Sequence, residues 1–513
     1  MTSARPSAKR RLALNAAINW VGTLAQMVAV FFVSPILVRG LGDERYGAWA
    51  FIESILAYLT LFDLGIGAAV VRYIARFEGG QDQQGINRTF SASVFLFSLA
   101  GLGVLAVASL FLGPVWGWLP VPSEHRFDAW WLFALLAFNL AVGLPMGVFA
   151  AVLDGLQRYV PKTLVRMVTL VVRSVAMLLV VRSGGGLAAI ALTVTVIALI
   201  EHLVLAIMAF AYLPGLRFAP HLVDRETLHM IGGYSVHAFV AMIAGRISFQ
   251  SDALVIGAFL PLSQITYFAL ASRLTEHVKG ALRSMTTVLT PHISQLEGQN
   301  DFEAIRRVYI KGTRYVLWLI IPVQLGIFFL GKPFFRLWIG PEHAERCYPV
   351  LIILAAPLAL VLSQSIAGRI LYGVGKVRGF SRLVMIEAIS NLGLSLLLIG
   401  PFGIVGVAIG TMIPSVIMNI YLIYYACSVI EISLVSYLRS AFVLPTIAGV
   451  SLMLVWVVLV SIWPVTSWIR LLAVGTIVPT VHLLFAYGLE IGFQSLRNRV
   501  AVHVMNRIPS RAA

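Results

Sequence analysis

Apolar runs of about 20 residues, each bounded by Gly, Pro or charge, recur along the whole chain, and each is long enough to cross a bilayer core as a helix. The pattern predicts about 14 spans, centred near Met27, Ala57, Val104, Asn139, Val172, Leu199, Ala244, Ala281, Gln324, Leu360, Leu396, Ser415, Met453 and Pro479. Alternating strands of barrel length are missing. The expected fold is therefore an all-α polytopic membrane protein. Arg5, Lys9, Arg10 and Arg11 precede the first run, which is too long for a signal peptide and lacks a small-residue cleavage site, so it reads as an uncleaved first span.

Loop charge sets the orientation. With both termini inside, about 23 Lys and Arg are cytoplasmic, among them Arg72, Arg88, Arg158, Arg306 and Lys311, against about 8 outside, such as Arg39, Arg126 and Arg336. This asymmetry places both termini in the cytoplasm and requires an even number of spans.

The chain also repeats itself. "LDG" at Leu153 to Gly155 returns as "LYG" at Leu371 to Gly373, 218 residues later. "GLAAIAL" from Gly186 returns as "GIVGVAI" from Gly403, and "RYIA" from Arg72 aligns with "PHIS" from Pro291. The expected organisation is an N-terminal lobe of spans 1 to 6 (1–215), a C-terminal lobe of spans 7 to 12 (216–430), spans 13 and 14 (431–490) and a cytoplasmic tail (491–513). Both lobes start on the same side, so the repeat is parallel, a plan found in transporters whose lobes rock about a central site.

Composition narrows the function. Of 513 residues 59% are hydrophobic and 12% charged, with mean hydropathy +0.90, which excludes a large soluble catalytic domain. The net charge of +16 follows from the cytoplasmic loops and needs no nucleic-acid partner. Cys347 and Cys427 form no disulfide framework or zinc site, and no nucleotide, HExxH or Asp-x-Asp motif occurs. No cofactor and no metal are expected.

Charge inside the spans is the candidate chemistry. Arg166, Arg173, Arg246, Arg273, Lys279, Arg283 and Arg369, with Glu53, Asp63, Glu201, Asp252, Glu276 and Glu387, all fall within apolar runs. Unpaired and facing lipid they would cost on the order of 30 to 45 kcal/mol, so they must face a cavity or each other. In span 8, Arg273, Glu276, His277, Gly280, Arg283, Ser284 and Thr287 share one helical stripe opposite Leu274, Val278, Leu282 and Met285. A wet cavity is preferred there over a purely structural ladder of Arg273, Glu276 and Lys279.

Span 5 carries Arg158, Lys162, Arg166, Thr169 and Arg173 from its cytoplasmic end inward. Snorkelling accounts for Lys162. Folding the hairpin at Gly184 to Gly186 brings Glu201 to the depth of Arg166 and Thr195 opposite Arg173. Arg166 with Glu201 is then a structural pair, and Arg173 is left to bind an anion. The repeat aligns Thr169 and Arg173 with Glu387 and Asn391. In span 2, Tyr46, Glu53, Thr60 and Gly67 recur at seven-residue steps, with Asp63 near Gly65-Ile66-Gly67. Glu53, Asp63, Glu276 and Glu387 are candidates for carrying a proton or cation. After span 8, Asn300 and Glu303 read as the start of an interfacial helix with Phe302, Ile305 and Tyr309 on one side.

From Ser34 to Phe77, Leu41-Gly42, Glu44, Tyr46-Gly47, Asp63-Leu64-Gly65 and Arg72-Tyr73-Ile74-Ala75 together resemble the polysaccharide transporters of the multidrug/oligosaccharidyl-lipid/polysaccharide exporter superfamily. Tyr267, Pro291 and Ser294 are similar to the second-lobe counterpart of that pattern. The resemblance implies an inner-membrane, V-shaped pair of six-helix lobes. By alternating access they would turn over an undecaprenyl-pyrophosphate-linked oligosaccharide, such as an O-antigen, capsule or exopolysaccharide unit. It further implies a cationic cavity, for which Arg173, Arg246, Arg273, His277 and Arg283 are available. Membrane lipids, a glycan polymerase and export machinery are the implied partners.

The related lipid II flippases carry cations in their first two spans, whereas span 1 here has only Asn15, Asn19 and Gln26, and span 2 is acidic. Alternatives are a multidrug cation antiporter, which would want an acidic cavity, a lipid II flippase, and a membrane glycan polymerase or ligase, which would want larger loops.

Overall fold

A computed structural model describes residues 8–286 and 289–505, with side chains at 8–20, 23, 233–249, 291 and 493–505 outside the description. All regular structure among the described residues is helical. The order is α1 (Ala8–Leu41), α2 (Asp43–Leu59), α3 (Ile66–Gly79), α4 (Gln83–Leu110), α5 (Arg126–Gly155), α6 (Tyr159–Arg182), α7 (Leu187–Tyr212), α8 (Arg225–Phe259) and α9 (Leu262–Thr286). It continues with α10 (Leu289–Gly298), α11 (Phe302–Trp338), α12 (Pro341–Ala355), α13 (Leu358–Ser363), α14 (Ser365–Gly373), α15 (Val377–Val429), α16 (Leu434–Ala441), α17 (Val443–Ile462) and α18 (Trp468–Met505).

Among the described residues 9 helices are long and apolar enough to cross a membrane, or up to 11 if each of two bent pairs forms one span. The chain is a multi-pass membrane protein. The full set of fourteen spans is not recovered among the described residues: α9, with Arg273, Glu276, Lys279 and Arg283, does not qualify as a candidate, and the middle of α8 lies outside the description. One qualifying helix, the 53-residue α15, breaks at Gly403 (φ 57, ψ −140), where the reading of spans 11 and 12 placed a turn.

Two features redraw the expected elements. Span 2 is not one continuous helix: after a 3-10 turn from Thr60 to Asp63, Leu64 (φ 52) and Gly65 (φ 78) are left-handed, and α3 leaves at 41°. The seven-residue register linking Glu53 to Gly67 is therefore interrupted. The interfacial helix expected after span 8 is instead the first part of α11, which runs unbroken for 37 residues. Its N-cap is Asp301, whose Oδ1 accepts from Ala304 N at 2.9 Å, one residue beyond the expected Asn300.

Contacts divide the chain into a first unit, Met1–Ala269 with Ile399–Val407, and a second, Leu270–Leu398 with Ala408–Ala513. In the first, α5 packs against α4, α7 and α3. The "GDERYG" start of α2 is sewn to the start of α9: Tyr267 donates to Asp43 Oδ2 and Thr266 to Asp43 O, both at 2.6 Å. In the second, α11 is central, touching α12, α13, α17 and α18. Arg314 Nη1 meets Glu490 Oε1 at 2.8 Å, and the Tyr309 and Tyr437 rings stack at 4.3 Å, which fixes α16 and α18 to α11.

The internal repeat is visible as the same contacts made twice. Gly155 lies where a Cβ would stand 2.7 Å from Ile74, and Gly373 where one would stand 2.5 Å from Ile293. Each of these glycines is followed by the same turn, with Arg158 N donating to Leu153 O and Lys376 N to Leu371 O, both at 2.8 Å. The left-handed residues there are Gln157 and Gly375. Gln81 with the N-cap Asp82 is likewise matched by Asn300 with Asp301.

Candidate functional site

Intramembrane charge gathers in one polar cluster in each unit. In the first, the fifth and sixth spans (α6 and α7) face each other. Arg166 Nε lies 3.8 Å from Glu201 Oε1, and Thr169 Oγ1 donates to Glu201 Oε2 at 2.7 Å. Arg173, one turn further along α6, is half-buried and has no ion pair or hydrogen bond among the described residues. Thr195 does not oppose it: its hydroxyl turns to α5 and donates to Leu135 O at 3.2 Å. Lys162 does not snorkel. It is 7% exposed and pairs with Asp154 at the end of α5, because its position on α6 points inward across the turn.

Glu53 is exposed on α2 between buried Ile52 and Ser54. Asp63 has a local task. Its Oδ1 accepts from Gly65 N at 3.0 Å, closing the break between α2 and α3, where a carboxylate meets the free N–H groups and positive end of the helix that follows. Arg246 belongs to α8, and its side chain lies outside the described residues.

In the second unit the cluster spans α9 and α15. Lys279 Nζ donates to Glu276 Oε1 at 2.7 Å, with Lys279 itself largely buried. Glu387 on α15 accepts a hydrogen bond from Ser415 and lies in the electrostatic field of Lys279 and Arg283. One turn on, Asn391 Nδ2 donates to Thr411 Oγ1 at 3.2 Å. Arg273 acts on neighbouring His277, whose Nε2 is buried without a hydrogen-bond partner among the described residues. Arg273, Glu276, His277 and Arg283 are all half-buried, while Ala271, Thr275, Leu282 and Thr286 form the fully buried side of α9. Thr287 lies outside the described residues.

The two clusters share a plan. A hydroxyl–carboxylate pair ties the fifth span to the sixth in each repeat, Thr169 with Glu201 and Glu387 with Ser415, with donor and acceptor helix exchanged. Sequence reasoning missed Ser415, Asp154 and Asp43; the first two face their partners across a hairpin, where spacing within one helix carries no signal. Outside these clusters, Glu44, Glu124 and His125 gather within 4.8 Å of one another. His125 Nδ1 accepts from Arg45 Nε at 3.5 Å, and its Nε2 faces Glu44 Oε2 at 3.7 Å and Glu124 Oε1 at 3.6 Å.

Paired helical repeats with charge set among apolar helices are a plan that membrane transporters share. The chain belongs to the family described as "Polysaccharide biosynthesis protein", whose sequence model matches residues 12–297. It is 28% identical over 199 residues to the "Probable low-salt glycan biosynthesis flippase Agl15" of Haloferax volcanii, covering 39% of this chain and 42% of that protein. It is 20% identical to a "Putative O-antigen transporter" of Shigella flexneri, covering 77% of this chain and 93% of that one. The match thus spans under half of the Haloferax relative and nearly all of the Shigella one. In fold it is similar to the "Lipid II flippase MurJ, inward closed conformation", with a TM-score of 0.74, 14% identity, and coverage of 94% of this chain and 99% of that chain.

Proposed function

We propose that the protein is a flippase that carries a polyprenyl-pyrophosphate-linked oligosaccharide from the cytoplasmic to the outer leaflet of the cell's inner membrane by alternating access. Both termini are cytoplasmic, the lobes are 1–215 and 216–430, and a glycan polymerase with its export machinery takes the product. The work is transport, with no bond made or broken.

The observation that carries this reading is Arg173. A half-buried guanidinium at mid-span with no protein partner among the described residues is costly unless a ligand meets it, and its planar donor fork suits two oxygens of a phosphate. Arg273, with His277 and Arg283, is the corresponding anion-binding candidate on α9, and Arg246 is the candidate in the sequence of α8. Glu53, Asp63, Glu276 and Glu387 are the carboxylates available for ion coupling. A multidrug cation antiporter would need carboxylates in excess, and the clusters described above are neutralised by Arg166, Lys279 and Arg283.

A deletion strain tests the function: lipid-linked glycan should accumulate on the cytoplasmic leaflet. Drug sensitivity with normal glycan export would point to the antiporter instead. In the complemented strain Arg173→Ala should restore roughly a tenth of export or less, and Arg173→Lys an intermediate amount, as expected for losing one charge-assisted contact of about 1.5–3 kcal/mol. Full export by a normally expressed Arg173→Ala protein would remove Arg173 from the site.

A further inference from the structure

Glu276 and Glu387 are the two carboxylates of the second-unit cluster, and a transporter that binds a metal cation would be expected to leave such groups short of positive charge. Here the chain supplies the charge itself. Lys279 lies 2.7 Å from Glu276 and also acts on Glu387, which Arg283 faces as well. Arg273 and Glu276, which share its stripe in the sequence, both act on His277. With two carboxylates against Lys279 and Arg283 the charges within the cluster already balance.

The neighbouring oxygens are engaged too. Ser415 donates to Glu387, Asn391 donates to Thr411, and Ser395 donates to Asn391 Oδ1 at 3.4 Å. Adding a hard cation would place positive charge beside positive charge in a medium of low dielectric. The first unit follows the same rule, with Arg166 on Glu201.

We propose that Lys279 is a tethered cation that stands in for a bound metal ion, so that the second-unit carboxylates hold no sodium in the wild-type protein. The ammonium can serve Glu276 or Glu387 from one flexible stem, a compact charge with three donors. This deepens the flippase reading by excluding a metal coupling ion from that cluster. Its test reads ion binding, which needs no glycan, so that its failure leaves the transport reading intact.

The experiment uses the purified full-length chain in detergent, unfolded thermally in equal concentrations of sodium, methylammonium or choline chloride. The wild type should melt at the same temperature in all three. Lys279→Ala should melt several degrees lower in choline and recover in sodium or methylammonium, which are small enough to replace the lost ammonium. Lys279→Ala with Glu276→Gln should lose that cation response.

Radioactive sodium binding to the wild type gives an answer even where Lys279→Ala does not fold. No saturable binding is expected. Saturable sodium binding that Glu387→Gln abolishes would overturn the proposal, as would a Lys279→Ala protein that melts like the wild type in every salt.

Discussion

The buried pair Asp154–Lys162 has a counterpart that shows what it is worth. At the equivalent positions of the second repeat stand Tyr372 and Phe380, whose rings lie 5.6 Å apart. One repeat closes this turn with an ion pair and the other with two aromatic rings. Removing one member of a buried pair strands the other, so Lys162→Ala or Asp154→Ala should each cost roughly 3–5 kcal/mol in unfolding titrations. Installing the second-repeat solution, Asp154→Tyr with Lys162→Phe, should recover most of that loss; a double variant no better than the singles would show that the cavity fits only the ion pair. Outside the spans, Asp224 caps α8, accepting from Thr227 N at 2.7 Å, and that N–H holds its carboxyl below the usual range, helped by Arg88. A depressed folded pKa means that the cap stabilises fully above the ordinary carboxylate range and is lost as pH falls through the depressed value. Asp224→Ala should therefore cost about 1 kcal/mol near neutral pH and progressively less in acid. Lys162 was misread from sequence because helical spacing displays only a helix's own faces, and Asp154 lies beyond the turn.

Elements obey the same repeat, and its sharpest expression is a glycine. At Gly155 and Gly373 the helix that ends there touches α3 or α10 so closely that a methyl group would overlap Ile74 or Ile293. Gly155→Ala and Gly373→Ala should each destabilise by about 1–3 kcal/mol through overpacking. Removing the Cγ2 that stands nearest, with Ile74→Ala or Ile293→Ala, should make the glycine substitution cost less in its own repeat and no less in the other, as double-mutant cycles from the melting curves of the four double variants would show. "LDG" and "LYG" were legible as a repeat in the sequence, and so was the turn at Gly186 with its echo at Gly403. The break of span 2 was only half legible. Gly65-Ile66-Gly67 marked a loosened helix, but the left-handed Leu64 carries no residue-type signal. Nor did hydropathy show that α11 is continuous, since a basic amphipathic start and an interfacial helix have the same pattern.

For the whole molecule, charge movement distinguishes the ways a flippase could be driven. Arg173 and Lys279 are tethered to their helices and cannot accompany the substrate across, so a pyrophosphate head crosses as roughly a dianion. One elementary charge is worth about 2.3 kcal/mol per 100 mV, and with the cytoplasm negative the outward step is favoured. In proteoliposomes clamped at about 30 mV, with no proton or sodium gradient, two charges correspond to about 1.4 kcal/mol and a roughly tenfold excess of glycan lipid in the outer leaflet at equilibrium. An imported cation would raise the count to three and the ratio to roughly thirtyfold under the same potential. With Lys279 filling the cation position of the second unit, the expected ratio is the tenfold one, unchanged when sodium is replaced by choline. A ratio near one would mean that the head crosses neutralised, which a chain with fixed cations does not provide. A sodium-dependent rise towards thirtyfold would place a transported cation in the cycle and Lys279 outside that role.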